Sequence, residues 1–131
     1  MTPATISNVI LAAIAASWAT ATPIAWPNHS FTEPAGPWIR PTIKMGDTLV
    51  GELGTDGIGM RTGLLMISIF DLANKGSQAA LAYAGRLEGL FRRRERSGVN
   101  FDEPSSDPKG IDDNGYFQVI MSCGFTTWVG E

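Results

Sequence analysis

The chain has 131 residues, of which 44% are hydrophobic and 18% charged. That length suits one domain over 1–131 able to bury a core without staples, and the balance excludes a disordered chain. A single cysteine, Cys123, excludes an internal disulfide, and a net charge of −3 gives no ground for expecting a nucleic-acid partner.

The first element is an apolar run from Ile6 to Trp18. Ala19-Thr20-Ala21 after it resembles a signal-peptidase site, so a cleaved leader is one reading. No Lys or Arg precedes the run, however, and Ile6, Val9, Ile10, Ala13, Ile14 and Trp18 fall at helical spacing, which favours an amphipathic helix docked on the body of the domain. Ile14 and Trp18 are then expected to pack against a sheet. The run is too short for a transmembrane span.

Prolines at 23, 27, 34, 37 and 41 punctuate the next segment. Between them, 24–26 and 38–44 read as short strands, with Pro41 making the second an edge strand or a broken one. Residues 47–52 read as another strand. Gly51, Gly54, Gly57, Gly59 and Gly63 then mark a long glycine-rich hairpin loop.

Residues 63–71, GLLMISIFD, are the strongest strand in the sequence. Turn residues occupy 74–77, and Ala80, Leu81, Ala84, Leu87, Leu90 and Phe91 recur every three or four positions, predicting a helix over about 77–95. A weak strand is expected at 99–101, a Pro/Ser/Asp loop at 103–115, and a final strand at 116–128 with a bulge at Gly124. Clustered strands with helices laid over them give an α+β class: a mostly antiparallel sheet covered on one face by the N-terminal helix and the 77–95 helix.

The inventory of reactive groups is thin. His29, the only histidine, sits in a proline-bracketed turn and reads as a surface residue rather than a base. Cys123 lies inside the last strand and reads as a buried, inert thiol. One Cys and one His cannot build an ordinary zinc site, so neither metal nor cofactor is expected. The stretch GELGTDGIGMRTG lacks a phosphate-loop ending and leads into a strand instead of a helix. The acidic 102–113 segment lacks the ligand spacing of a calcium loop, and Asp113-Asn114-Gly115 reads as a turn. Asn28-His29-Ser30 matches a glycosylation sequon, which matters only in a secreted chain.

One charge feature rises above background: Arg92, Arg93, Arg94 and Arg96. Three readings stay open: favourable cations at a helix C-terminus, a meeting with the acidic 102–113 segment within the subunit or on a neighbour, and contact with DNA phosphates.

The order of an N-terminal helix, the segment AWPNHSFTEPAGPWIRPTI, a glycine loop, the strand GLLMISIFD, a helix ending in LFRRR, and a closing strand GYFQVIMSCGFTTW resembles the tail terminator proteins of long-tailed bacteriophages. The resemblance spans nearly the whole chain, and the segment 28–43 with the strand-to-helix unit 64–91 carries most of it. It implies a structural virion protein without catalysis. Its subunits close into a ring, usually a hexamer, that caps the tail tube, ends its polymerisation and offers a surface to head-completion proteins. Expected partners are then other copies of the chain, the tail tube protein, a head-completion or connector protein, and DNA that passes through the channel without sequence-specific binding. The place would be the tail–neck junction of the virion, assembled in the host cytoplasm, with no membrane involved.

Carried onto positions, the resemblance suggests that Gly46, Asp47, Glu52, Asp56 and Arg61, in and next to the 46–60 loop, face the tube. It suggests that Arg92, Arg93, Arg94 and Arg96 with Asp102, Glu103, Asp112 and Asp113 line a subunit contact or the channel. The competing class is a small monomeric binding module, exported or not, that uses an exposed Trp26, Phe31 and Trp38 surface. A small nucleic-acid binder is the third option.

Overall fold

The computed structural model describes residues 2–18, 21–34, 36–50, 59–73, 78–112 and 115–129, and for 47–50 and 129 the backbone alone. In chain order the elements are α1 (Pro3–Trp18), β1 (Trp38–Val50), β2 (Gly59–Leu72), α2 (Gln78–Phe91), β3 (Glu95–Arg96), β4 (Val99–Phe101), β5 (Ser105–Ile111) and β6 (Tyr116–Val129). The strands form one six-stranded sheet in the order β1-β2-β6-β4-β3, with β5 also paired to β6. Every strand pair is antiparallel. The fold is α+β, as the sequence implies, and both helices bury their apolar stripes in one core.

α1 begins where Thr2 and Pro3 say it should. The Thr5 N–H donates to Thr2 Oγ1 at 3.2 Å, a side-chain cap, and Pro3 occupies the first turn, where its missing N–H costs nothing. Ile6, Ile10, Ile14 and Trp18 then repeat every four residues and are all buried, Trp18 to 1% exposure. Trp18 does more than fill space. Its Nε1–H donates to Thr22 Oγ1 at 2.8 Å, its ring meets Tyr83 of α2 edge-on at 5.5 Å between centroids, and the Arg86 guanidinium lies 4.8 Å from its ring centre. α1 is therefore tied to α2 as well as to β1 and β3, and Ile14 and Trp18 lie in the core as the helical spacing predicts.

α2 presents Ala80, Ala84, Leu87 and Phe91 inward; the two alanines at its N-terminal end let the helix lie close to the sheet. Leu81, expected on the same face, is 38% exposed. The helix is also shorter than expected. It stops at Phe91 because Arg93 adopts a left-handed φ of 47°, which a continuing helix cannot contain.

The sheet's helix-facing side follows the strand alternation: Leu65, Ile67 and Ile69 of β2 and Val119, Met121, Cys123 and Phe125 of β6 are buried. β2 and β6 pair without a break from Gly59–Val129 to Leu72–Tyr116, so the bulge expected at Gly124 is absent. Gly124 serves a close approach instead: a Cβ there would stand 3.0 Å from Asp102 Oδ2, and the Asp102 N–H donates to its carbonyl at 2.9 Å. The irregularities fall elsewhere, between Met45 and Thr48 in β1 and between Pro108 and Gly110 in β5.

Other boundaries differ for physical reasons. The segments 38–44 and 47–52, read as two strands, are one strand to Val50, with a register irregularity between Met45 and Thr48. The segment 24–26 makes only a single parallel bridge, Ile24 to Ile39, with the Ala25 N–H donating to Ile39 O and the Ile39 N–H to Pro23 O. The expected loop at 103–115 contains β5, an edge strand exposed on most of its length whose polar sequence hides its partner. β1 and β2 pair as far as Val50 and Gly59, so the 59–63 end of the expected glycine hairpin loop is strand, and its larger part at 51–58 lies outside the described residues.

The other face of the sheet carries a second, smaller cluster at one end. Trp38 stacks on Phe70 at 4.2 Å, Phe31 lies against Trp38 at 4.9 Å, and Tyr116 meets both Trp38 and Phe70 edge-on. The Tyr116 hydroxyl donates to Pro34 O at 2.7 Å and so pins the proline-rich segment over this cluster.

Candidate functional site

The arginine group sits beyond α2, not on its last turn, in the corner leading through β3 to β4. Arg92 Nη2 donates to Glu88 Oε1 at 2.6 Å and its Nε to Glu103 Oε2 at 2.8 Å, while Arg93 Nε stands 3.3 Å from Glu103 Oε1. The Ser106 hydroxyl donates to the second Glu88 oxygen, so α2, the segment before β5 and β5 itself share one polar network. Arg96 folds back: its Nε and Nη2 donate to Leu90 O at 3.0 and 2.6 Å, and its guanidinium lies over Phe91. This satisfies a carbonyl at the helix end, which is the dipole reading carried out by a residue outside the helix.

Arg94 is exposed and anchors the corner through its backbone, its carbonyl accepting from the Phe101 N–H at 2.8 Å. Asp102 is exposed beside Gly124. Asp112 lies apart, at the start of the turn into β6, with Oδ1 accepting from the Tyr116 N–H at 2.9 Å. Asp113 is outside the described residues. Of the predicted charge group, then, the structure joins Arg92, Arg93 and Glu103 within one subunit and leaves Arg94 and Asp102 facing outward.

The second predicted group lies on the long β1–β2 ladder. Gly46 lies in the irregular stretch of β1, where a Cβ would come within 2.8 Å of Thr62 Oγ1. Asp47 is in β1 by its backbone; Glu52 and Asp56 lie outside the described residues. Arg61 is in β2, paired with Thr127, half-buried, and its Nε is buried without a hydrogen-bond partner.

No group of three or more His, Cys, Asp or Glu side chains among the described residues could hold a metal ion. Burial first, and then the Asp102 charge, push the Cys123 thiol up to about 11, and its S–H donates to Asp102 O, so it is protonated and unreactive near neutral pH. His29 is exposed in its turn. Trp38, one of three aromatics read as an exposed binding surface, is 1% exposed; with Phe31 it packs the proline-rich segment onto the sheet. No described helix is long and apolar enough to cross a membrane.

What the fold does expose is edges. Beyond Ile39 the outer side of β1 has no strand partner among the described residues, and neither has the outer side of β5. The sequence reading missed β5 and hence the second edge, because SSDPKGI carries no apolar alternation to mark a strand.

The pattern of the family described as phage tail terminator protein matches residues 5–125. No curated protein matches the chain. Solved structures share the fold, among them one at a TM-score of 0.66, covering 92% of this chain and 94% of its own, with 22% identity. The family match takes in both helices and the sheet as far as Phe125, with the arginine corner and both open edges. This chain therefore belongs to the phage tail terminator protein family.

Proposed function

We propose that the chain is a ring-forming subunit, hexameric as the family resemblance implies, that caps the tail tube, ends its polymerisation and presents its other face to a head-completion or connector protein. DNA passes through the ring without being read. The protein acts at the tail–neck junction of the virion, after assembly in the host cytoplasm, and performs no catalysis. The observation that carries the reading is the pair of open edges on opposite sides of one sheet. A contact between two different surfaces repeats from copy to copy and closes into a ring when the rotation allows, covering both edges. The 46–60 segment with Arg61 is the part we assign to the tube, and the outward-facing Arg94 and Asp102 are assigned to the subunit contact or the channel.

The test is the solution mass of the full-length chain by light scattering, over a wide range of protein and salt concentration. A closed oligomer of about six copies supports the reading. A monomer at every concentration contradicts it.

A further inference from the structure

Resting on the ring reading, we propose that neighbouring copies join head to tail through Arg40 on the β1 edge of one copy and Asp107 on the β5 edge of the next.

The register places these residues on one row. Arg40 is opposite Ser68, Ser68 opposite Ile120, and Ile120 opposite Asp107. Directly opposed residues share a face, so Arg40 and Asp107 both lie on the side away from the helices, at the two ends of a single line across the sheet. The next row, Thr42, Met66, Ser122 and Ser105, repeats the alignment. A copy placed beside another without stagger brings Asp107 level with Arg40, the first residue of β1 past Ile39, whose N–H and carbonyl are already bonded to Pro23 and Ala25, so only the Ser105–Asp107 end of β5 meets the open stretch of β1. The strand directions agree as well. β1 runs antiparallel to β2, β2 to β6 and β6 to β5, so β5 of one copy meets β1 of the next in antiparallel sense.

The two side chains are prepared for this contact. The Arg40 guanidinium rests 5.0 Å from the Trp38 ring centre and 6.0 Å from that of Phe70, which fixes its position, and no carboxylate among the described residues forms an ion pair with it. Among the described residues Asp107 is ion-paired to Lys109 alone, at 2.6 Å, with side chains 67% and 47% exposed, a weak surface pair that exchanges readily. A cavity of about 300 Å³ lined by Trp26, His29, Phe31, Arg40 and Ile43 fronts the β1 edge. Each edge also carries a proline, Pro41 and Pro108, which has no N–H to give. An unbroken backbone ladder across the joint is thereby interrupted, and side chains must supply its specificity.

The experiment compares the wild-type chain with Arg40→Asp, Asp107→Arg and the double variant by light scattering. Each single reversal is expected to raise the protein concentration needed for the oligomer at least about tenfold, and the double variant to recover most of that loss. Because Arg40 lies on the Trp38 cluster, a second measurement avoids charge reversal. An equal mixture of Arg40→Cys and Asp107→Cys chains is treated with a short bismaleimide and should give a covalent dimer that neither variant gives alone. A wild-type oligomer with unaffected reversals and no mixed dimer overturns this contact and leaves the ring reading standing. A wild-type monomer at every concentration removes the ring reading and this contact with it.

Discussion

The Phe125 ring lies across Gly63 on the neighbouring strand, so close that a Cβ on Gly63 would come within 2.3 Å of Phe125 Cζ and 2.7 Å of Lys44 O. Glycine here makes room for an aromatic ring beneath the helices, where Phe125 also meets Phe101. Gly63→Ala must push the ring or the β1 backbone aside and should cost about 1–3 kcal/mol. Gly85→Ala, in α2 with nothing within 4 Å of the added methyl, should instead gain about 0.5–1 kcal/mol. Urea unfolding of the two variants checks both signs.

α1 is part of the core. Ile14→Ala should lose about 2–5 kcal/mol and Trp18→Ala about 3–5 kcal/mol, because both leave cavities among fully buried neighbours. Charged residues at both positions together should prevent folding, read by circular dichroism. A folded Ile14→Asp, Trp18→Asp chain would contradict the docked helix.

The Arg92–Glu103 pair looks strong by distance, but Arg92 is 42% and Glu103 55% exposed. Water screens such a pair, so a double-mutant cycle with Arg92→Ala and Glu103→Ala should give a coupling below about 1 kcal/mol, falling further with added salt. A larger, salt-independent coupling would mean the corner is buried in an assembly.

Cys123 sets a pH dependence. Its folded value of about 11 lies above the ordinary thiol value, so its contribution to stability is complete below that ordinary value and is lost as pH rises through about 11. The thiol of the folded chain should resist a thiol-reactive disulfide reagent at pH 8 and react only after denaturant is added. Cys123→Ala should flatten the alkaline decline in stability.

The parts of the fold that sequence reading recovers are those with strong periodicity: the Ile6, Ile10, Ile14, Trp18 stripe, the α2 face, and the β2 and β6 runs. The parts it misreads depend on a partner far along the chain. β5 is a strand because β6 offers it an edge, not because Ser105 to Ile111 favours one. Gly124 is a contact glycine because Asp102 approaches it, which nothing near position 124 reveals. The pairing of Arg92 and Arg93 with Glu103 was legible as a basic cluster followed about ten residues later by an acidic segment. The alignment of Arg40 with Asp107 was not, since it passes through two intervening strands.

The most direct test of the account is electron microscopy of tail tube protein polymerising with and without this chain. The chain is expected to stop elongation, shorten the tubes and add a ring of density at one end only. Tubes of unchanged length with bare ends, formed in an excess of folded chain, would contradict it.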